Sequence, residues 1–164
     1  MLTLVHTVMT EVMLTVAIAT IAAFLAASFY SSMSSFYDIY RMAIGVEKEK
    51  ALTNIEIIFA TNVSSSEAKI WVKNIGQKPI TRSLIAKASL IFGPTAECQL
   101  LGYNTTVAPY WTFSLASDFD HDGAWDPSET IEIDVIWDAT LAPGDYYVKL
   151  ILYNGVSDDY YFSI

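Results

Sequence analysis

Basic residues are scarce and unevenly placed. The 164-residue chain has nine Lys and Arg against eighteen Asp and Glu, and its first base is Arg41. From Asp118 to Asp159 eleven acids meet one base, Lys149. Nucleic acid phosphates need a basic stripe to bind, so this balance excludes DNA and RNA as partners. Cysteine is scarcer still. Cys98 stands alone, which rules out an intramolecular disulfide framework and leaves zinc without a thiolate pair. In a strand-like run it reads as a small buried hydrophobe. Histidine occurs twice, at His6 and His121, on opposite sides of a long apolar stretch. No motif pairs a nucleophile with a base, and no glycine-rich phosphate loop is present. The acidic pair Asp158-Asp159 reads as solvated loop rather than as a glycosidase dyad. The sequence names no catalytic residue.

Charge, Gly and Pro are all missing from Val12 to Tyr37. About 20 predominantly apolar residues suffice to cross a bilayer as a helix. The run is longer than the roughly 7 to 15 residues of a signal-peptide core, and it is expected to stay in the mature protein. The helix is expected from Met1 to about Lys50, since Met33, Phe36, Tyr37, Tyr40 and Ile44 continue at helical spacing. At 1.5 Å per residue it would be roughly 70 Å long, over twice the thickness of bilayer hydrocarbon. Its second half must therefore bury its aromatic face, Phe36 and Tyr40 included, against protein. Ala19, Ala23 and Ala27 lie four apart, as do Ala22 and Ala26. Such rows suit either an ordinary Ala-rich anchor or a helix packed closely among copies of itself. Glu11 is the one charge at the apolar margin. It either snorkels at the boundary or pairs with an α-amino group on a neighbouring chain.

Beyond Gly45 the periodicity changes from helix to strand. Ile55-Glu56-Ile57, Lys69 to Lys73, Ile131 to Val135 and Val148-Lys149-Leu150 alternate one side chain in and one out. Turn residues punctuate them at Asn62 to Ser66, Asn74-Ile75-Gly76, Gly93-Pro94, Ala108-Pro109 and Pro143-Gly144-Asp145. With Ser83 to Phe92, Gln99 to Tyr103, Trp111 to Leu115 and Tyr160 to Ile164, seven or eight short strands are expected. The fold class is then α+β. A hydrophobic helix over residues 1–50 precedes an antiparallel, immunoglobulin-like β-sandwich over residues 51–164. Asn62-Val63-Ser64 and Asn104-Thr105-Thr106 are glycosylation acceptors of the Asn-x-Ser/Thr type. Two of them beyond a membrane-type helix point to an extracellular domain.

The sharpest chemistry lies in Asp118-Phe119-Asp120-His121-Asp122-Gly123-Ala124-Trp125-Asp126-Pro127-Ser128-Glu129. It carries carboxylates at positions 1, 3, 5, 9 and 12 of a twelve-residue calcium loop, with Gly at position 6. A hard cation needs six to eight oxygens, and the Gly permits the turn that aims alternate side chains at one point. Asp118, Asp120, Asp122, the Ala124 carbonyl, Asp126 through water and Glu129 through both oxygens would form the set, with His121 turned away. Trp125 replaces the usual aliphatic at position 8 and the flanks read as strands, so Ca2+ here would be a structural clamp. The alternative is an acidic surface turn held by Asx bonds.

Several stretches carry a family resemblance: Leu52 to Ile58, Val72-Lys73-Asn74-Ile75-Gly76, Pro143 to Val148, and Tyr153-Asn154-Gly155-Val156. With the long amino-terminal helix, the chain resembles the archaeal archaellin and type IV pilin-like superfamily. The resemblance implies a lollipop-shaped subunit, inserted in the membrane before assembly. Its helices would bundle into a homo-oligomeric surface filament for motility or adhesion, with the β-domains outside. The superfamily also holds accessory proteins called FlaG and FlaF, which serve the motor's stationary part or contact the surface layer. Thr10-Glu11-Val12-Met13 with Leu52 to Ile58 is similar to the FlaG type. The filament subunit is the main expectation, and an accessory component is the alternative. A membrane-tethered binding module is a third reading, which predicts a lone helix facing lipid on all sides.

Overall fold

The computed structural model describes residues 2–164, with side chains from residue 7 onward. Two compact units divide the chain, Met1–Gly45 and Val46–Ile164. Helix α1 spans Leu2–Leu52, and its last residues from Val46 onward belong to the second unit.

In the first unit every described side chain is exposed. From Thr7 the helix is long and apolar enough to cross a membrane. Several of its hydroxyls bond within the helix itself: Thr15 Oγ1 donates to the Glu11 carbonyl, Thr20 to Ala17 and Ser35 to Ser31. Thr and Ser can therefore sit in the apolar stretch without leaving a polar group for hydrocarbon to desolvate.

The second unit carries eight strands. They are β1 (Ile55–Asn62), β2 (Glu67–Asn74), β3 (Ser89–Pro94), β4 (Gln99–Tyr103), β5 (Tyr110–Leu115), β6 (Thr130–Ile136), β7 (Asp145–Ile151) and β8 (Ser157–Ser163). Their order across the sheet is β1-β2-β6-β5-β4-β3-β7-β8. All neighbours are antiparallel except β4 and β5, which run parallel over Gly102↔Tyr110 and Tyr103↔Trp111. The outer strands meet, since the Ile57 N–H of β1 donates to Asp158 Oδ2 of β8 at 2.7 Å. The two layers of the sandwich thus wrap into a barrel-like body, and a carboxylate takes up a donor on the outer edge of β1.

Alternation builds the core. Ala68, Ile70 and Val72 of β2, Ile131, Ile133 and Val135 of β6, and Val148 and Leu150 of β7 all point inward and are buried. Each such aliphatic contributes about 1.5–3 kcal/mol by leaving water. Phe92 fills one end against Trp137, Tyr146 and Phe162, with ring centroids 5.3–6.1 Å away.

Three details depart from the sequence reading, and a fourth, in β1, lies beyond it. The run from Ser83 to Phe92 is not one strand, because α2 (Arg82–Ile85) occupies its start and β3 begins only at Ser89. The pattern in β1 breaks at a bulge between Ile57 and Phe59, which leaves Ile58 and Phe59 both exposed. Phe59 then packs on Trp71 of β2 at 5.6 Å. Asp158-Asp159 lies within β8 rather than in a loop, and Cys98 is exposed rather than buried. The thiol follows the Pro94–Glu97 turn and reaches only carbonyl oxygens there.

Helix α1 ends against the turn that follows β2. The Gln77 N–H donates to the Leu52 carbonyl at 2.8 Å, and the Ile75 N–H to Asn54 at 3.1 Å. Glu49 Oε1 accepts from Lys78 Nζ at 2.7 Å and from the Tyr153 hydroxyl at 2.9 Å. Thr53, buried, donates to the Glu49 carbonyl and accepts from Asn154 Nδ2. At Gly76 a Cβ would stand 2.6 Å from the Asn54 nitrogen and 2.8 Å from the Leu52 oxygen. Gly76→Ala is therefore expected to destabilise the protein by about 1–3 kcal/mol, the usual range for overpacking. Urea denaturation of the variant beside the wild type measures it.

Candidate metal centre

The acidic loop joins β5 to β6. Its ends are closed by the Ala116 and Ser117 N–H groups on the Thr130 carbonyl and by the Thr130 N–H on Ser117 Oγ. Between these points the backbone enters the left-handed region at His121, Gly123 and Ser128. Gly123, at φ 77°, stands where the turn calls for a residue without a Cβ.

This path gathers the carboxylates. Asp118, Asp120 and Glu129 offer oxygens that all lie within 4.8 Å of one another, and so do Asp120, Asp122 and Asp126. Asp120 belongs to both groups. Asp122 Oδ1 accepts from the Ala124 N–H at 2.6 Å, and Asp120 Oδ1 from the Asp122 N–H at 3.3 Å. Glu129, only 1% exposed, accepts from the Phe119 N–H through Oε1 and the Asp126 N–H through Oε2. Asp118 Oδ1 is fully shielded from solvent and has no donor.

Among the described residues, no Lys or Arg forms an ion pair with any of these five acids. The nearby base, Arg82, instead donates its Nε–H to the Gly123 carbonyl. Lost hydration first, and then the charges of Asp122, Asp120, Glu129 and Asp118, push the Asp126 carboxyl above its usual range. Five acids crowded without a countercharge suit a divalent cation chemically, and an all-oxygen set suits Ca2+ better than a transition metal.

Behind the loop stands Trp125. Its ring is fully buried, and its Nε1–H donates to the Glu129 carbonyl at 3.0 Å. Its backbone forms a two-way bridge with Ile80, at 2.9 and 3.0 Å. Beside it, Asn74 is buried although polar. Asn74 Nδ2 donates to the Trp125 and Lys78 carbonyls, and Oδ1 accepts from the Gly76 N–H. Its main chain pairs with Glu129 and Ser128. The turn motif Asn74-Ile75-Gly76 was visible in the sequence, but nothing there tied it to Trp125 or to Glu49.

The remaining predicted residues belong to other elements. Glu11, Ala19, Ala23, Ala27, Phe36 and Tyr40 are exposed on α1. Asn62 is exposed at the end of β1, and Asn104 is exposed in a left-handed turn after β4. His121 is exposed in the loop, whereas the side chain of His6 lies outside the described residues.

No family model matches the chain. It is 34% identical over 131 residues to an uncharacterized protein of Archaeoglobus fulgidus, covering 76% of this chain and 77% of that one. Among solved structures it is similar to the archaellum periplasmic stator protein FlaG from Sulfolobus acidocaldarius. That match has a TM-score of 0.59 and 28% identity, over 68% of this chain and 100% of the other. A chain of the FlaF and FlaG complex from the same organism matches with a TM-score of 0.58 and 28% identity, over 68% of this chain and 90% of that one.

The helix anchor carries a pH signature. The hydrogen bond from Lys78, then that from Tyr153, holds the Glu49 carboxyl below its ordinary value of 4.5. A carboxylate depressed by folding adds stability that is present above the unfolded value and fades as pH falls through the folded one. Denaturation midpoints followed from pH 6 downward should therefore fall less steeply below about pH 4.5 in Glu49→Gln than in the wild type.

Proposed function

Because the chain belongs to the archaellin and type IV pilin-like superfamily, alongside its FlaG- and FlaF-type members, we propose that it is an accessory, stator-type component of an archaellum. In this reading α1 anchors the protein in the membrane, and the acidic β-domain stands on the outer side. There it binds other archaellum proteins, a second β-domain subunit of the FlaF kind among them, or the surface layer. The observation that carries the reading is the match to FlaG along the whole of that protein's chain. The reading gives no residue a catalytic role.

A filament subunit would use the same helix, with Ala19, Ala23 and Ala27 at close contacts between copies. The two readings separate in the cell. Chemical cross-linking of native membranes should recover the chain with a different β-domain partner, and its deletion should stop rotation while filaments still assemble. Sheared filaments built mainly of this chain, and lost with Ala23→Trp, would overturn the stator reading in favour of the filament.

The second part of the proposal is a structural Ca2+ held by Asp118, Asp120, Asp122, Asp126, Glu129 and the Ala124 carbonyl. Glycans on Asn62 and Asn104 belong to the same extracellular reading. Support for the cation comes from the twelve-residue pattern, the convergence of the five acids, and the shielded Asp118 oxygen without a donor. Calcium at a hundred times its Kd should stabilise the protein by about 2.7 kcal/mol. Thermal melts of the full chain in detergent, with calcium and then with chelator, should differ accordingly, and Asp120→Asn with Asp122→Asn should abolish the difference. Equal melting curves would reduce the loop to an acidic turn.

A further inference from the structure

We infer that occupancy of the acidic loop controls how firmly the end of α1 is held by the β-domain. The inference rests on the calcium reading above and adds a regulatory consequence to it. Two sites are involved, the five acids of residues 118–129 and the clamp of Leu52, Asn54 and Glu49 on the turn after β2. Asn74 joins them.

The connection can be followed bond by bond. Trp125 and Glu129 sit at positions 8 and 12 of the loop. Their carbonyls accept from the Asn74 side-chain and main-chain N–H groups, at 2.9 Å each. The same Nδ2 donates to the Lys78 carbonyl, and the Asn74 oxygen holds the Gly76 N–H. These bonds shape residues 74–78 so that Ile75 and Gln77 present their N–H groups to Asn54 and Leu52 while Lys78 Nζ reaches Glu49. Ile80 ties the far end of this turn back to Trp125.

Every member of this chain of bonds belongs to the unit Val46–Ile164. Asn74 is fully buried, so a shift of Trp125 that removes one acceptor leaves part of its amide without a partner. An unsatisfied buried group is costly enough to transmit such a shift rather than absorb it.

Charge supplies the lever. Without a cation the acids of Asp118 and Glu129 repel each other at the two ends of the loop, where the Asp118 oxygen has no donor. A cation between them reverses the sign of that interaction and holds Trp125 and Glu129 more firmly in the positions from which they accept from Asn74. Whatever stabilises the loop then stabilises the turn that grips α1, and the coupling is reciprocal. Calcium loops of extracellular modules bind at about 10⁻⁴–10⁻³ M. The anchor would therefore become firm on the calcium-rich side of the membrane.

Amide hydrogen exchange on the full chain in detergent micelles tests this, with calcium chloride and with chelator, beside calorimetry for binding. The amides of Ile75 and Gln77 should slow together with those of Trp125 and Ser128, by up to about 100-fold at a hundred times the Kd. In Asn74→Ala the loop amides should still slow and those of Ile75 and Gln77 should not. Should that variant fail to fold, Asp120→Asn with Asp122→Asn leaves Asn74 intact and should remove the response at both places. Calcium binding that slows the loop alone would overturn the coupling and leave the calcium site standing. No binding heat would overturn both.

Discussion

One buried amide fixes the relation between helix, turn and loop within the β-domain. Asn74 ends β2 at a position where alternation places a side chain in the core, as it does for Val72 and Ile70 before it. A polar group there is tolerated only when its hydrogen bonds are made, and Asn74 makes three through its side chain. Those bonds draw residues 74–78 into a turn tight enough that only Gly fits at position 76, against the end of α1. An apolar residue at 74 would leave the carbonyls of Lys78 and Trp125 without their donor and the helix without a shaped socket.

The regular parts of this fold were legible because each is written in a local period. The helix announced itself through the absence of Gly, Pro and charge, and β2, β6 and β7 through strict alternation of aliphatic and polar residues. The carboxylates of the loop were legible for the same reason, since twelve consecutive residues carry the whole pattern. What escaped the sequence is non-local. The bulge that turns Phe59 outward is set by pairing with Trp71, and the parallel contact of β4 with β5 depends on strands supplied by the rest of the sheet. Cys98 lies in a strand-like run, yet the turn after Pro94 holds it at the surface. The partners of Asn74 and Glu49 come from as far away as Trp125 and Tyr153, and no window along the chain joins them.

The helix alone does not discriminate between filament and accessory roles. Either use needs an apolar rod, and the hydroxyls of Thr15, Thr20 and Ser35 are silenced within it in both cases. The small-residue rows at Ala19, Ala23 and Ala27 permit close packing without stating the partner. Discrimination has to come from outside the helix, and a solved chain of a stator protein is matched there over all of its length, at 28% identity.

Electrostatics argues in the same direction. From Val46 onward the chain carries sixteen acids against eight bases. A filament sheath would press many copies of this surface together, and like charges within a Debye length of about 8 Å repel at physiological salt. Filling the acidic loop with a divalent cation reduces the net charge of each copy without removing it. A component present in few copies, contacting a partner of different surface charge, meets no such penalty. The same charge then favours encounter with a basic partner and disfavours self-association.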